Sequence, residues 1–151
     1  MVPSPRTVLL GRERTRRPFA SVALVVALFG GTFAAYALGL FAVSGGVVFL
    51  PGHAALVGVL GAALVGSRHG GLVVAWLATY AALLGYSADH YLLGLSGRSL
   101  SERVTAFLGL DGLVFLGVEA LVLGTLGFLL GACCARGFAL VRDGPTGADA
   151  G

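Results

Sequence analysis

Apolar residues run along this chain in long uninterrupted blocks, not in alternation with polar ones. No Asp, Glu, Lys or Arg occurs from 18 to 67, nor again from 69 to 88. A helix needs roughly 20 apolar residues to cross the ~30 Å hydrocarbon core of a bilayer. The blocks therefore predict four spans, at about 19–41, 47–66, 71–91 and 112–134. The breaks between them carry turn chemistry, Ser44-Gly45-Gly46 after the first and Arg68-His69-Gly70 after the second.

The long connection, 92–111, predicts a helix of its own. Ser99 and Glu102 have the spacing of a capping box. Leu100, Val104, Phe107 and Leu108 fall on one helical face, with Glu102, Arg103 and Thr105 largely off it. That pattern is a short amphipathic helix lying at a membrane surface. Asp111 is placed to cap the fourth span. The fold class predicted is an all-α integral membrane protein: a four-transmembrane-helix bundle with short loops and one external loop carrying a short amphipathic helix.

Composition agrees and narrows the organisation. Apolar residues make up 57% of the 151 and charged residues 11%, against about 25% charged in a soluble domain. Mean hydropathy is +0.93. That leaves an Arg-rich tail at 1–18, in which three prolines disfavour regular structure, a single membrane domain at 19–134, and a Gly/Asp-containing tail at 135–151 that reads as disordered.

Charge sets the expected orientation. All ten basic residues are arginine. With both termini inside, eight of them are cytoplasmic and only Arg98 and Arg103 are external, which is the sense of the positive-inside rule. The expected location is the cell (plasma) membrane, multi-pass, with both termini cytoplasmic. Thr15-Arg16-Arg17-Pro18-Phe19 resembles a twin-arginine export signal. The apolar run continues far past the usual length of such a signal, which favours a retained first helix. The net charge of +3 is explained by topology, so no nucleic-acid partner is expected.

Small residues predict how the spans pack, because in lipid close backbone approach matters more than apolar contact. Ala23, Ala27, Gly31, Ala35 and Gly39 recur every fourth position in the first span, and Ala54, Gly58, Ala62 and Gly66 do so in the second. These two ladders predict a close antiparallel hairpin. In the fourth span Gly117, Ala120, Gly124, Gly127, Gly131 and Cys134 alternate spacings of three and four, a heptad seam of small residues.

Candidate chemistry is sparse. Glu119 lies in the fourth span, roughly 6 Å from its midpoint at 1.5 Å per residue. An intramembrane carboxyl must be protonated or partnered, and depth places Thr32, Tyr36 and Tyr86 in the same layer. A second group, His53, Asp89 and His90, forms an external rim. Its spacing matches no metal motif, so neither a metal nor a cofactor is expected. Cys133 and Cys134 stand alone as a pair, without a disulfide framework.

Three function classes remain. The first is a structural or accessory subunit or homo-oligomeric membrane component, whose partners are the bilayer and further membrane subunits. The second is a small proton-linked transporter or channel using Glu119. The third and weakest is a membrane enzyme with the external His/Asp rim.

Overall fold

A computed structural model describes residues 5–11, 18–41 and 51–142. The Ser44-Gly45-Gly46 turn, the start of the second expected span, Arg12, Glu13, Arg14, Arg16, Arg17 and the last nine residues lie outside that set. The described residues are helical, with no strand among them. The elements are α1 (Pro5–Leu10), α2 (Pro18–Ala37), α3 (Gly52–Ser67), α4 (Leu72–Ala88, continued by a π-helical turn over Asp89–Leu93), α5 (Leu100–Phe107) and α6 (Leu110–Arg142).

Three helices are long and apolar enough to cross a membrane: Phe19–Ala37, Leu72–Leu93 and Leu110–Arg142. The fourth, α3, is apolar but has 16 residues, about 24 Å at 1.5 Å per residue. Several boundaries differ from expectation. A helix opens at Pro5 inside the expected loose tail, and α2 opens at Pro18. Proline is tolerated at a first helical position, because the N–H it lacks would have no partner there in any case. Helix α2 stops at Ala37, and Gly39 follows at φ +70°, a left-handed conformation in which glycine is at ease. Asp111 lies within the first turn of α6 and does not precede it. Residues 135–142 are the end of α6, not part of a disordered tail, since no proline interrupts them before position 145.

Helices α2, α3, α4 and α6 pack side by side and alternate in direction. Leu24 packs beside Val74, and a β-carbon added at Gly85 would sit 2.6 Å from the Phe29 carbonyl oxygen, so α2 and α4 run parallel. Thr79 lies against Gly58, whereas Ala75 clusters with Ala62 and Val65, so α3 runs opposite to α4. Gly127 faces Val59 and Gly131 faces Ala63. That makes α6 parallel to α3.

The centre of this arrangement is α4, which packs on all three other long helices. Ala75, Ala78, Thr79, Ala82 and Leu83 are fully buried. A helix surrounded on three sides can approach its neighbours only through short side chains, and alanine occupies most of those sites. The expected hairpin of α2 on α3 is replaced by α2 on α4: Gly61 meets α2 only at Leu28, while Gly85 meets the α2 backbone itself.

The ladders divide accordingly. Ala54, Gly58, Ala62 and Gly66 are all buried. On α6, Ala120, Gly124, Gly127 and Gly131 are buried, but Gly117 meets no neighbour and Cys134 is exposed. The α2 ladder is left largely uncovered. Ala23, Ala27 and Gly31 are exposed and Ala35 is half-buried, while Thr32 and Tyr36 turn inward.

Candidate functional site

Two regions with polar side chains stand out among the described residues. The first is a chain of rings at the end formed by the C-terminus of α2, the N-terminus of α3 and the π-helical turn. His53 stacks on Phe41, with centroids 5.0 Å apart and planes at 14°. Phe41 meets Tyr36 edge-on at 5.2 Å, and Tyr36 meets Tyr86 edge-on at 5.0 Å. Tyr86 stacks with His90 at 6.0 Å, and His90 meets Tyr91 edge-on at 5.1 Å. Edge-to-face and offset pairs at this spacing contribute roughly 0.5–1.5 kcal/mol each beyond area burial.

The helices place these rings for simple reasons. Tyr86 and His90 are four residues apart and therefore share a face. Tyr36 ends the inward stripe of α2, and Gly39 at φ +70° turns the chain so that Phe41 folds back over Tyr36. The two histidines expected to share a rim are thus the far parts of one aromatic string, separated by Phe41, Tyr36 and Tyr86. Among the described residues no three His, Cys, Asp or Glu side chains come together as a metal site would require.

Glu119 is the second region. It is half-buried on α6, and its Oε2 is shielded from solvent with no hydrogen-bond partner. The layer expected around it exists in part. Tyr36, Leu116 and Ala120 share one cluster, with Tyr86 packed against it. Yet the hydroxyls do not reach the carboxyl. Tyr36 and Tyr86 are engaged in the ring chain, and the buried Thr32 Oγ1 is itself without a partner, set beside Gly85 between α2 and α4. Shared depth did not become shared contact, because α2 packs chiefly on α4, and α6 packs on other helices.

A third polar node carries structure. Thr79 Oγ1 donates to the α3 backbone at Gly58 O (3.2 Å) or to its own helix at Ala75 O (3.0 Å). Trp76 Nε1 donates to Thr125 Oγ1 on α6 at 2.9 Å, and Thr125 donates to Leu121 O at 2.6 Å. Gly124 sits between them; a β-carbon there would lie 3.0 Å from Trp76 Cδ1 and 3.1 Å from Thr79 Oγ1. The signal for this node in the sequence is one threonine in each of two otherwise apolar helices, Thr79 against Gly58 and Gly124 and Thr125 beside Trp76, a pattern shared by many packing residues.

On the loop between α4 and α6, α5 is capped as expected. Ser99 N donates to Glu102 Oε2 at 3.0 Å, and Glu102 N donates to Ser99 Oγ at 3.4 Å. Hydrogen bonds to the carboxyl from the Ser99 backbone and hydroxyl, with Arg98 nearby, hold Glu102 below its ordinary range. Arg103 ties the helix down by donating to the carbonyls of Arg98 (2.9 Å) and Leu92 (3.1 Å). Leu100, Val104 and Leu108 are left exposed.

Comparison with known proteins adds no family to this geometry: no protein-family model matches the chain, and neither the curated proteins nor the solved structures contain a significant match.

Proposed function

We propose that the chain is a four-span membrane protein with both termini on the cytoplasmic side, acting as a structural component that assembles laterally with further copies of itself through the outer face of α2. The observation that carries this reading is the open flank of α2 at Gly30 and Gly31. Both are exposed, and nothing lies within 4 Å of where a β-carbon on either would stand. A small-residue face of that kind lets a second helix approach closely in lipid. Membrane insertion is supported by the three long apolar helices and by large apolar side chains on the outside, Phe19 at 86% exposure and Val22 and Val26 at 62% each. The alternating helix directions put Arg68 and Arg142 toward one end and Arg98 and Arg103 toward the other, in keeping with the positive-inside rule.

The test is disulfide cross-linking of Gly31→Cys in native membranes, on a background in which Cys133 and Cys134 are replaced by Ser. The reading expects a covalent dimer, and a Gly31→Leu variant that runs as a monomer in mild detergent with unchanged helicity. A chain that never cross-links and is monomeric in the unsubstituted form would overturn it; co-purification of a different membrane protein in place of a second copy would make it an accessory subunit.

A second reading, a proton-linked transporter, is favoured by one observation, the shielded Oε2 of Glu119 with no hydrogen bond. Glu119→Gln keeps the size and removes the titratable proton. Loss of a proton-coupled flux in reconstituted vesicles would support that role, and an unchanged flux would end it.

A further inference from the structure

Below Leu28 the packing of α2 on the rest of the molecule opens. The residues that α2 presents there are short, Ala20, Ser21, Ala23 and Ala27, and they leave a cavity of about 800 Å³. Its other walls are Leu64 and Val65 at the end of α3 and Val74 at the start of α4. One end is closed by α1, which is pressed onto the α3–α4 turn: a β-carbon on Gly11 would stand 2.7 Å from Gly71 N. This volume is within the ~300–1,000 Å³ range of pockets that hold small molecules.

The lining is graded. Leu24, Leu64, Val65 and Val74 make the deep part apolar, whereas Arg68, His69 and Ser21 lie toward the turn. The Arg68 side chain is exposed and has no hydrogen bond or ion pair with any described residue. Arg6 of α1 is also exposed. An occupant that complements all of this is apolar along most of its length and anionic at one end. Basic pockets between helices on the cytoplasmic side of a membrane suit the headgroups of anionic lipids.

We propose that this cavity is a binding site for an anionic phospholipid, with the phosphate held by Arg68 and an acyl chain filling the space between Leu24, Leu64 and Val74. The site rests on the membrane reading above, since the lipid reaches it from the inner leaflet. The short side chains of α2 leave room for the chain, the α3–α4 turn sets the depth of the headgroup, and α1 closes the mouth over it.

Extraction of membranes with alkaline carbonate comes first, and a chain released into the supernatant removes the membrane reading itself. For the retained protein, the full chain is purified in detergent, and lipid retention is counted by native mass spectrometry. Phosphatidylglycerol, phosphatidylcholine with the same acyl chains, and inorganic phosphate are each added. The expected result is one tightly retained phosphatidylglycerol, with phosphatidylcholine held more weakly and no protection of the site by inorganic phosphate. Arg68→Gln is expected to weaken phosphatidylglycerol about fivefold, the effect of one cation near an anionic headgroup. Ala20→Phe, which narrows the cavity ten residues along α2 from Gly30, is expected to reduce retention of both lipids without lowering the unfolding temperature. Equal retention of the two lipids, an undiminished preference in Arg68→Gln, full retention in Ala20→Phe, or displacement of the lipid by inorganic phosphate would each overturn the assignment.

Discussion

Gly131 of α6 lies directly on the backbone of Ala63 of α3, so close that a β-carbon on Gly131 would overlap the Ala63 carbonyl oxygen. Gly66 repeats the relationship in reverse, its missing β-carbon pointing at the Phe128 carbonyl, and a β-carbon on Gly127 would stand 2.6 Å from Val59 O. Three glycines from two helices thus make one backbone-to-backbone seam. Gly131→Ala and Gly66→Ala must move a helix, at about 1–3 kcal/mol each or more. SDS-titrated unfolding in mixed micelles should show both losses. Gly137→Ala, placed where nothing is near, should cost nothing in the same assay.

Thr79 supports the same core with its hydroxyl. Thr79→Val keeps the shape and removes the donor to Gly58 O and Ala75 O. Interhelical hydrogen bonds of this kind average about 0.6 kcal/mol in a membrane protein and reach about 1.7. A loss in that range is expected by the same unfolding assay, and it should largely disappear in a background where Gly58→Ala has already pushed the helices apart, because Gly58 sits 2.9 Å from Thr79 Cγ2 by its missing β-carbon.

Gly11 holds α1 in place and is constrained twice. Its φ is +75°, and its approach to Gly71 N leaves no space for a side chain. Gly11→Ala should therefore release α1 from the α3–α4 turn. Limited trypsin digestion should then cut at Arg6 much faster than in the unsubstituted chain, while the rest of the protein stays intact.

The α5 cap gives a pH prediction with a definite sign. Donation from the Ser99 backbone and hydroxyl, helped by Arg98, lowers the Glu102 pKa from its ordinary value of 4.5. A lowered folded-state value means that the cap stabilises α5 fully above that ordinary value and is lost as pH falls through the lowered one. Amide exchange within Leu100–Phe107 should accelerate, relative to the intrinsic rate, below about pH 4. In Ser99→Ala exchange should be faster already at neutral pH, with little further relative change on acidification.

The long apolar helices were legible in the sequence, and the short α1 was not, because exclusion of charge over some 20 residues is a one-dimensional property. The capping box at Ser99 and Glu102 was legible for the same reason, as donors and acceptors three residues apart need no tertiary partner. Element ends were less so. Pro5 and Pro18 serve as first residues of helices, and the sequence does not distinguish a proline that starts a helix from one that prevents it.

Which face of each helix turns inward is a property of the assembled molecule. The ladder of α2 and that of α3 have the same spacing, yet Gly58 and Ala62 are buried while Ala27 and Gly31 are exposed. The difference arises because α4, with its alanine surface, takes the centre and draws Thr32 and Tyr36 of α2 toward itself. The same choice separates Thr32 and Tyr36 from Glu119 and joins Tyr36 instead to Phe41, Tyr86 and the two histidines. Hydropathy and local spacing determine that these segments are helices and which of them suit a bilayer. Pairing depends on how several nearly equivalent small-residue surfaces share one central helix, and only the packed structure decides that.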